Sequence, residues 1–266
     1  MSSELASGKL RLDEPAAGVA RLTIANAEKR GAFDQEMLGA VAGAVAGLDA
    51  RCLILTGEGR MFSSGYDIGN FEDESQFAED AEKLVAHPFH AAIEAIEAYP
   101  YPVIAALNGH AIDGGLEVAL SADIRIAAKG IKVGMPPAKI GLIYSHTGLR
   151  KFLDTIGPAH TSELFHLGEN IDSGRAAAIG LVNHVVEPEE LEGRALGMAS
   201  AIAANAPLSL AGNKRVIREL RLAQFELDPE LEAELVALRE SCFRSEDFRE
   251  GVASFAEKRP AVWKNR

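Results

Sequence analysis

Residues Gly109–Asp123 read GHAIDGGLEVALSAD. The stretch is mostly small and apolar, which predicts burial, yet it holds the adjacent glycines Gly114 and Gly115 and the carboxylate Glu117. Glycine costs about 1 kcal/mol inside a helix, and a buried carboxylate costs more unless it is paired. The preceding PVIAALNG reads as a buried strand, and GGLEVALSA reads as a helix that begins near Gly114. A helix N-terminus leaves backbone N–H groups free and carries a partial positive charge. Glycines there let a ligand oxygen approach the backbone. Two readings follow. In one, the strand-to-helix turn is an oxyanion site, with Glu117 one turn inside the helix to move a proton. In the other, the glycines only permit close helix packing, and Glu117 complements the helix dipole. The spacing does not fit the GxGxxG dinucleotide fingerprint.

Outward from this stretch, strands alternate with helices. KLRLD and GVARLTIAN predict a strand pair turning at Glu14 to Gly18. A helix is expected from about Asp34 to Leu48, with Asp34 as its N-cap. RCLILTG is a short β-branched run ending at Gly57, hence a buried strand. GEGRMFSSGYDIGN reads as a loop, and Phe77–Ala98 as a helix ended by the prolines of YPYP. ADIRIAA and the IKVGM segment read as strands. From Ser145 the pattern is helical, apart from one strand in NHVVE. This predicts an α/β fold with a parallel-rich sheet and a helical C-terminal part. A core over residues 1–200 and a helical region over 201–266 are expected. The closing amphipathic helices LEAELVALRE and FREGVASFAEK are free to pack on the core or on a neighbouring subunit.

Composition narrows the function classes. The 266 residues carry a net charge of -12, which argues against a nucleic-acid surface. Cys52 and Cys242 are the only cysteines, too few for a disulfide framework or a cysteine zinc site. No HExxH pattern or Cys/His cluster occurs, so no metal is expected. The opening MSSELASGKL shows no secretory h-region, and no apolar run reaches the ~18 residues of a membrane span. A cytoplasmic protein without a membrane partner is the expectation.

A second candidate is MFSSGYDI, where Ser63, Ser64 and Gly65 turn the chain before Tyr66 and Asp67. It offers a second backbone N–H, or a plain turn with Asp67 as a cap. Taken with GHAIDGGLEVALSAD, it resembles the crotonase (enoyl-CoA hydratase/isomerase) superfamily. The resemblance starts at GVARLTIANAEKRGAF, with Gly31 where an Asn is usual, and runs to FAEKRPAVWKNR. It implies a crotonase-like ββα spiral core with a helical C-terminal trimerisation region. It also implies an acyl-CoA thioester as substrate, with coenzyme A part of that substrate and no separate cofactor. By motif position, the backbone N–H groups of Tyr66 and Gly114 would hold the thioester oxygen and stabilise an enolate. Glu117 would be the acid/base. Ser64, Gly65, Asp67, Ile68 and Gly115 would line the substrate site. Lys29 and Arg30 on the opening turn, and Lys258 on the closing helix, are candidates to meet CoA, against the alternative of solvated surface charge. In the family that helix approaches a neighbouring subunit's site, and trimers or dimers of trimers are common.

The chain departs from the family pattern in two places. Hydratases hold their water with two glutamates; the first matches Glu117, but the second falls at Pro137, which has no acid/base group. Loss of one such group typically costs ~10²–10⁴ in rate. Tyr144 stands where a proline is usual, followed by Ser145, His146 and Thr147. The methylmalonyl-CoA decarboxylase branch looks similar at both places. Decarboxylation needs no water; it needs a stabilised enolate and a later proton. Tyr144 or His146 would orient the carboxylate or supply that proton; alternatively Tyr144 packs in the core and His146 contacts backbone at a helix start. Asp113, replacing a family glycine, is either an N-cap or a third acidic group. Overall resemblance ranks an enoyl-CoA hydratase/isomerase-type enzyme first. A malonyl-type acyl-CoA decarboxylase and a non-catalytic acyl-CoA-binding subunit stand as alternatives.

Overall fold

The computed structural model describes residues 2–67 and 77–266, with backbone alone over 77–87. The chain opens with β1 (Ser3–Leu5), β2 (Leu10–Ala16) and β3 (Val19–Ile24). Asp34 caps α1 (Gln35–Ala46), its carboxylate accepting from the Met37 N–H at 2.8 Å. Then come β4 (Cys52–Gly57), β5 (Met61–Ser63), α2 (Phe77–Ala98), β6 (Val103–Leu107), β7 (His110–Ile112) and α3 (Gly114–Leu120). β8 (Ile124–Ala128) and β9 (Lys132–Gly134) lead through a 3-10 turn at Pro137–Ile140 into α4 (His146–Leu167). The chain closes with β10 (Ile171–Asp172), α5 (Ser173–Ala178), β11 (His184–Val186), α6 (Leu191–Ala203), α7 (Pro207–Gln224), α8 (Pro229–Phe243) and α9 (Glu246–Glu257).

A seven-stranded sheet runs β1-β2-β3-β4-β6-β8-β11, and a four-stranded sheet runs β10-β9-β7-β5. β1 to β3 pair antiparallel; from β3 to β11 the large sheet is parallel. Successive turns repeat one order: a strand in the large sheet, a strand in the small sheet, a helix. This is the expected ββα spiral. β4 and β6 are apolar without alternation because both faces are covered, as parallel strands require. α6 packs across β3, β4, β6 and β8.

Two local expectations are corrected. MFS within MFSSGYDI is a strand, not a loop, paired parallel to β7 with Met61 opposite His110. PVIAALNGH is two strands in different sheets, not one. Asn108 holds this crossing: its Oδ1 accepts from the Gly57 N–H at 2.8 Å, and its Nδ2 donates to the Gly59 carbonyl at 3.1 Å. A three-residue strand is too short to show a period, so only its partner reveals it. The sequence left the partner of the C-terminal helices open; within the chain α8 packs on α2 and α9 packs on the 3-10 turn at Pro137–Ile140.

Candidate active site

α3 begins where the small sheet ends, so its first turn and the loop after β5 face each other. Phe33 donates its N–H to the Gly65 carbonyl (2.7 Å) and accepts from the Asp67 N–H (2.9 Å), which pins the strand around Tyr66. The Tyr66 N–H is left out of that bridge. The Gly114 N–H precedes the helical bonds of α3 and lies beside the Asp113 carboxylate, whose pKa it lowers. A Cβ built on Gly65 would stand 3.1 Å from the Gly114 nitrogen, so the two candidate donor segments touch.

The two adjacent glycines have different causes. A Cβ on Gly115 would fall 2.4 Å from the Ser63 carbonyl oxygen, so this glycine permits α3 to pack on β5. A Cβ on Gly114 would instead meet the Tyr66 ring at 3.0 Å and Phe89 at 3.4 Å. Gly114 therefore opens the backbone toward aromatic side chains that line a cavity.

That cavity has a volume of about 180 Å³ and is walled by Tyr66, Phe89, Glu117, Tyr144, His146 and Arg239, among others. Glu117 is 4% exposed. The Tyr144 hydroxyl donates to its Oε2 at 2.5 Å. Burial raises the Glu117 pKa, while nearby Lys151 and the Tyr144 hydrogen bond pull it back. Lys151, itself buried, is ion-paired with Glu97. Burial, and then the Glu117 charge, push the Tyr144 phenol well above its ordinary value of 10.0, so it stays protonated and donates. Glu117 thus holds a proton to higher pH than an ordinary carboxylate, beside a fixed hydrogen-bond donor.

The remaining candidates distribute as follows. His146 is the first residue of α4 and its Nε2 lies 3.3 Å from Glu232 Oε1 on α8; it lines the cavity but pairs away from Glu117. Pro137 is buried at the start of its 3-10 turn and is not part of the cavity wall. Lys29 reaches Asp67, Nζ to Oδ2 3.7 Å, and the Arg30 carbonyl accepts from the Ser64 N–H at 3.1 Å, so the opening turn and the loop after β5 are joined. Lys258 ends α9 in a left-handed conformation, exposed and outside the cavity wall. Ile68 lies outside the described residues. Asp113 is not a side-chain N-cap: it makes no cap hydrogen bond, and its φ of 54° with ψ of −129° suits glycine. Sequence reasoning took Tyr66 for its backbone alone, whereas its ring packs on Phe89 with centroids 4.7 Å apart and walls the cavity. It missed Phe89 on α2 and Val236 and Arg239 on α8. The expectation of an amphipathic α8 is corrected: Leu231, Val236 and Leu238 are exposed and only Cys242 and Phe243 are buried, so no apolar stripe marks the side that meets the cavity.

Residues 14–266 match the family model for enoyl-CoA hydratase/isomerase. The chain belongs to the enoyl-CoA hydratase/isomerase family. This crotonase-superfamily chain is 35% identical over 221 residues to a probable enoyl-CoA hydratase of Bacillus subtilis, covering 80% of this chain and 81% of that protein. It is 32% identical over 213 residues to a methylmalonyl-CoA decarboxylase of Escherichia coli, covering 79% and 80%. Among solved structures, a methylmalonyl-CoA decarboxylase complexed with 2S-carboxypropyl-CoA superposes with a TM-score of 0.87 at 27% identity, over 100% of both chains.

Proposed function

We propose that this protein acts on an acyl-CoA thioester by stabilising its enolate, and that the reaction is decarboxylation of a malonyl-type acyl-CoA. One observation carries the choice. Among the described residues Glu117 is the only carboxylate in the cavity wall, and its Oε2 accepts from Tyr144. Hydration by the paired-glutamate route needs a second carboxylate to hold water, and Pro137 leaves that place without an acid or base. The likeness to methylmalonyl-CoA decarboxylases along the full chain supports the same reading.

In the proposed step the bond between Cα and the carboxylate breaks and CO2 leaves. The electron pair passes to the thioester, whose oxygen becomes an oxyanion. The N–H groups of Tyr66 and Gly114 hold that oxygen; such donors contribute typically ~10²–10³ in rate each. A proton then passes from the Glu117–Tyr144 pair to Cα, giving the shortened acyl-CoA, and solvent restores the pair. Lys29 at the turn joined to Asp67 suits the CoA end. The exposed apolar residues of α7, Leu208, Val216, Ile217 and Leu220, suit burial against further copies, in line with a homotrimer or dimer of trimers in the cytoplasm.

The test is product analysis by mass spectrometry after separate incubation with methylmalonyl-CoA and crotonyl-CoA. CO2 loss from the first, with the second unchanged, is expected. Rapid hydration of crotonyl-CoA without CO2 release from methylmalonyl-CoA would overturn the decarboxylase reading and restore the hydratase one.

A further inference from the structure

α8 contributes two residues to the cavity, Val236 and Arg239, three apart and so on one helix face. Arg239 is the only Arg or Lys among the cavity-wall residues. Its Nε is buried without a hydrogen-bond partner. Its guanidinium rests over the Phe243 ring, 5.6 Å from the centroid, and no ion pair to it occurs among the described residues. A desolvated guanidinium N–H with no acceptor is costly in a folded protein. The other ionisable groups of the wall are Glu117, which already accepts from Tyr144, the two phenols, and His90 and His146. The Glu117 pKa is raised by burial and drawn back in part by the Arg239 charge, so the two share one field.

We infer that Arg239 is the specificity residue of this site, receiving a carboxylate carried on the acyl group of the thioester. This rests on the acyl-CoA reading of the cavity. A guanidinium presents a planar fork of donors that fits a carboxylate, and Nε is one member of that fork. The Phe243 ring beneath it keeps the plane oriented. The consequence for turnover follows from charge. Decarboxylation creates no net charge; it moves one from the carboxylate to the thioester oxygen. A cation beside the carboxylate therefore acts mainly on binding and on discrimination against uncharged acyl groups. Held on the carboxylate alone, it lowers KM and kcat together.

The test compares two inert thioethers that differ only by a carboxylate, S-(2-carboxypropyl)-CoA and S-propyl-CoA, by calorimetry. In the unmodified protein the carboxylated ligand binds more tightly; equal affinity overturns the inference. In Arg239→Met its affinity falls roughly ten- to hundredfold, while S-propyl-CoA changes less than about twofold, by the same conversion. Equal loss for both ligands would mean that Arg239 only shapes the cavity, and refutes the assignment. Arg239→Lys, which keeps the charge in a smaller change, should retain most of the discrimination; its complete loss there, with S-propyl-CoA binding intact, would also refute a charge-based role for this position. CO2 release from methylmalonyl-CoA is read separately. A protein that binds the carboxylated ligand selectively but leaves methylmalonyl-CoA intact would refute the decarboxylase reading and keep this one.

Discussion

Asp113→Gly should stabilise the protein, and by more at pH 8 than at pH 5. Asp113 sits at φ 54° and ψ −129°, the geometry of the first central residue of a type II′ turn, where glycine is preferred. Holding a non-glycine residue there costs about 1–3 kcal/mol. Its carboxyl oxygen Oδ1 is sealed from solvent without a hydrogen-bond partner. Burial, and then the charge of Glu117, raise its pKa from 3.8 to about 7, against a small opposing pull from the Gly114 N–H. Between those values the folded state holds a proton that the unfolded chain has released. Stability contributed by this group is therefore present at low pH and is lost as pH rises from about 4 to about 7. The resulting penalty is at most about 2 kcal/mol at pH 5 and about 4 kcal/mol at pH 8. Glycine returns about 0.5–1 kcal/mol through the greater freedom of its unfolded chain. Urea denaturation at both pH values should show the variant more stable by about 2 kcal/mol at pH 5, with the gain larger by about 2–3 kcal/mol at pH 8. Groups remote from Asp113 titrate in both proteins and cancel. A gain that is absent, or equal at the two pH values, refutes the reasoning.

Tyr144→Phe removes the donor to Glu117 and should lower kcat by about 10²–10⁴, with thioether binding measured in parallel nearly unchanged. Gly115→Ala places a methyl 2.4 Å from the Ser63 carbonyl oxygen, and should cost about 1–3 kcal/mol or more in thermal unfolding. Lys151→Met takes away the cation that restrains the Glu117 pKa, so the alkaline limb of the pH–rate profile, where the donated proton is lost, should move to higher pH. The same change leaves Glu97 without its buried partner, which should appear as a lowered melting temperature.

The parts of this site that were legible in the sequence are those built by local chain geometry. Gly114, Gly115 and Glu117 lie within one helical turn, and Ser63 to Asp67 lie in one tight bend, so residue type and spacing carry their placement. The same locality separated the two glycines only poorly. Which of them meets Ser63 and which meets Tyr66 depends on how α3 docks on β5. Tyr144 could be singled out because it breaks a motif, but its bond to Glu117 spans 27 residues and needed the fold. Arg239 left no signal of its own. An arginine in a charged helix reads as solvated charge until the helix is seen closing over the cavity. β5 was hidden for a related reason, since three residues make a strand only in the presence of β7.

That α8 walls the cavity of its own chain makes substrate choice and bond chemistry separable parts of one polypeptide. The proposed oxyanion donors, Glu117 and Tyr144 belong to the spiral; Val236 and Arg239 belong to the tail. A graft of α8 and α9 from a relative that accepts uncharged acyl groups would exchange the lock while leaving the bolt in place. On the proposed roles, drift in one short C-terminal segment would redirect the site to a new acyl group without disturbing the residues proposed to break the bond.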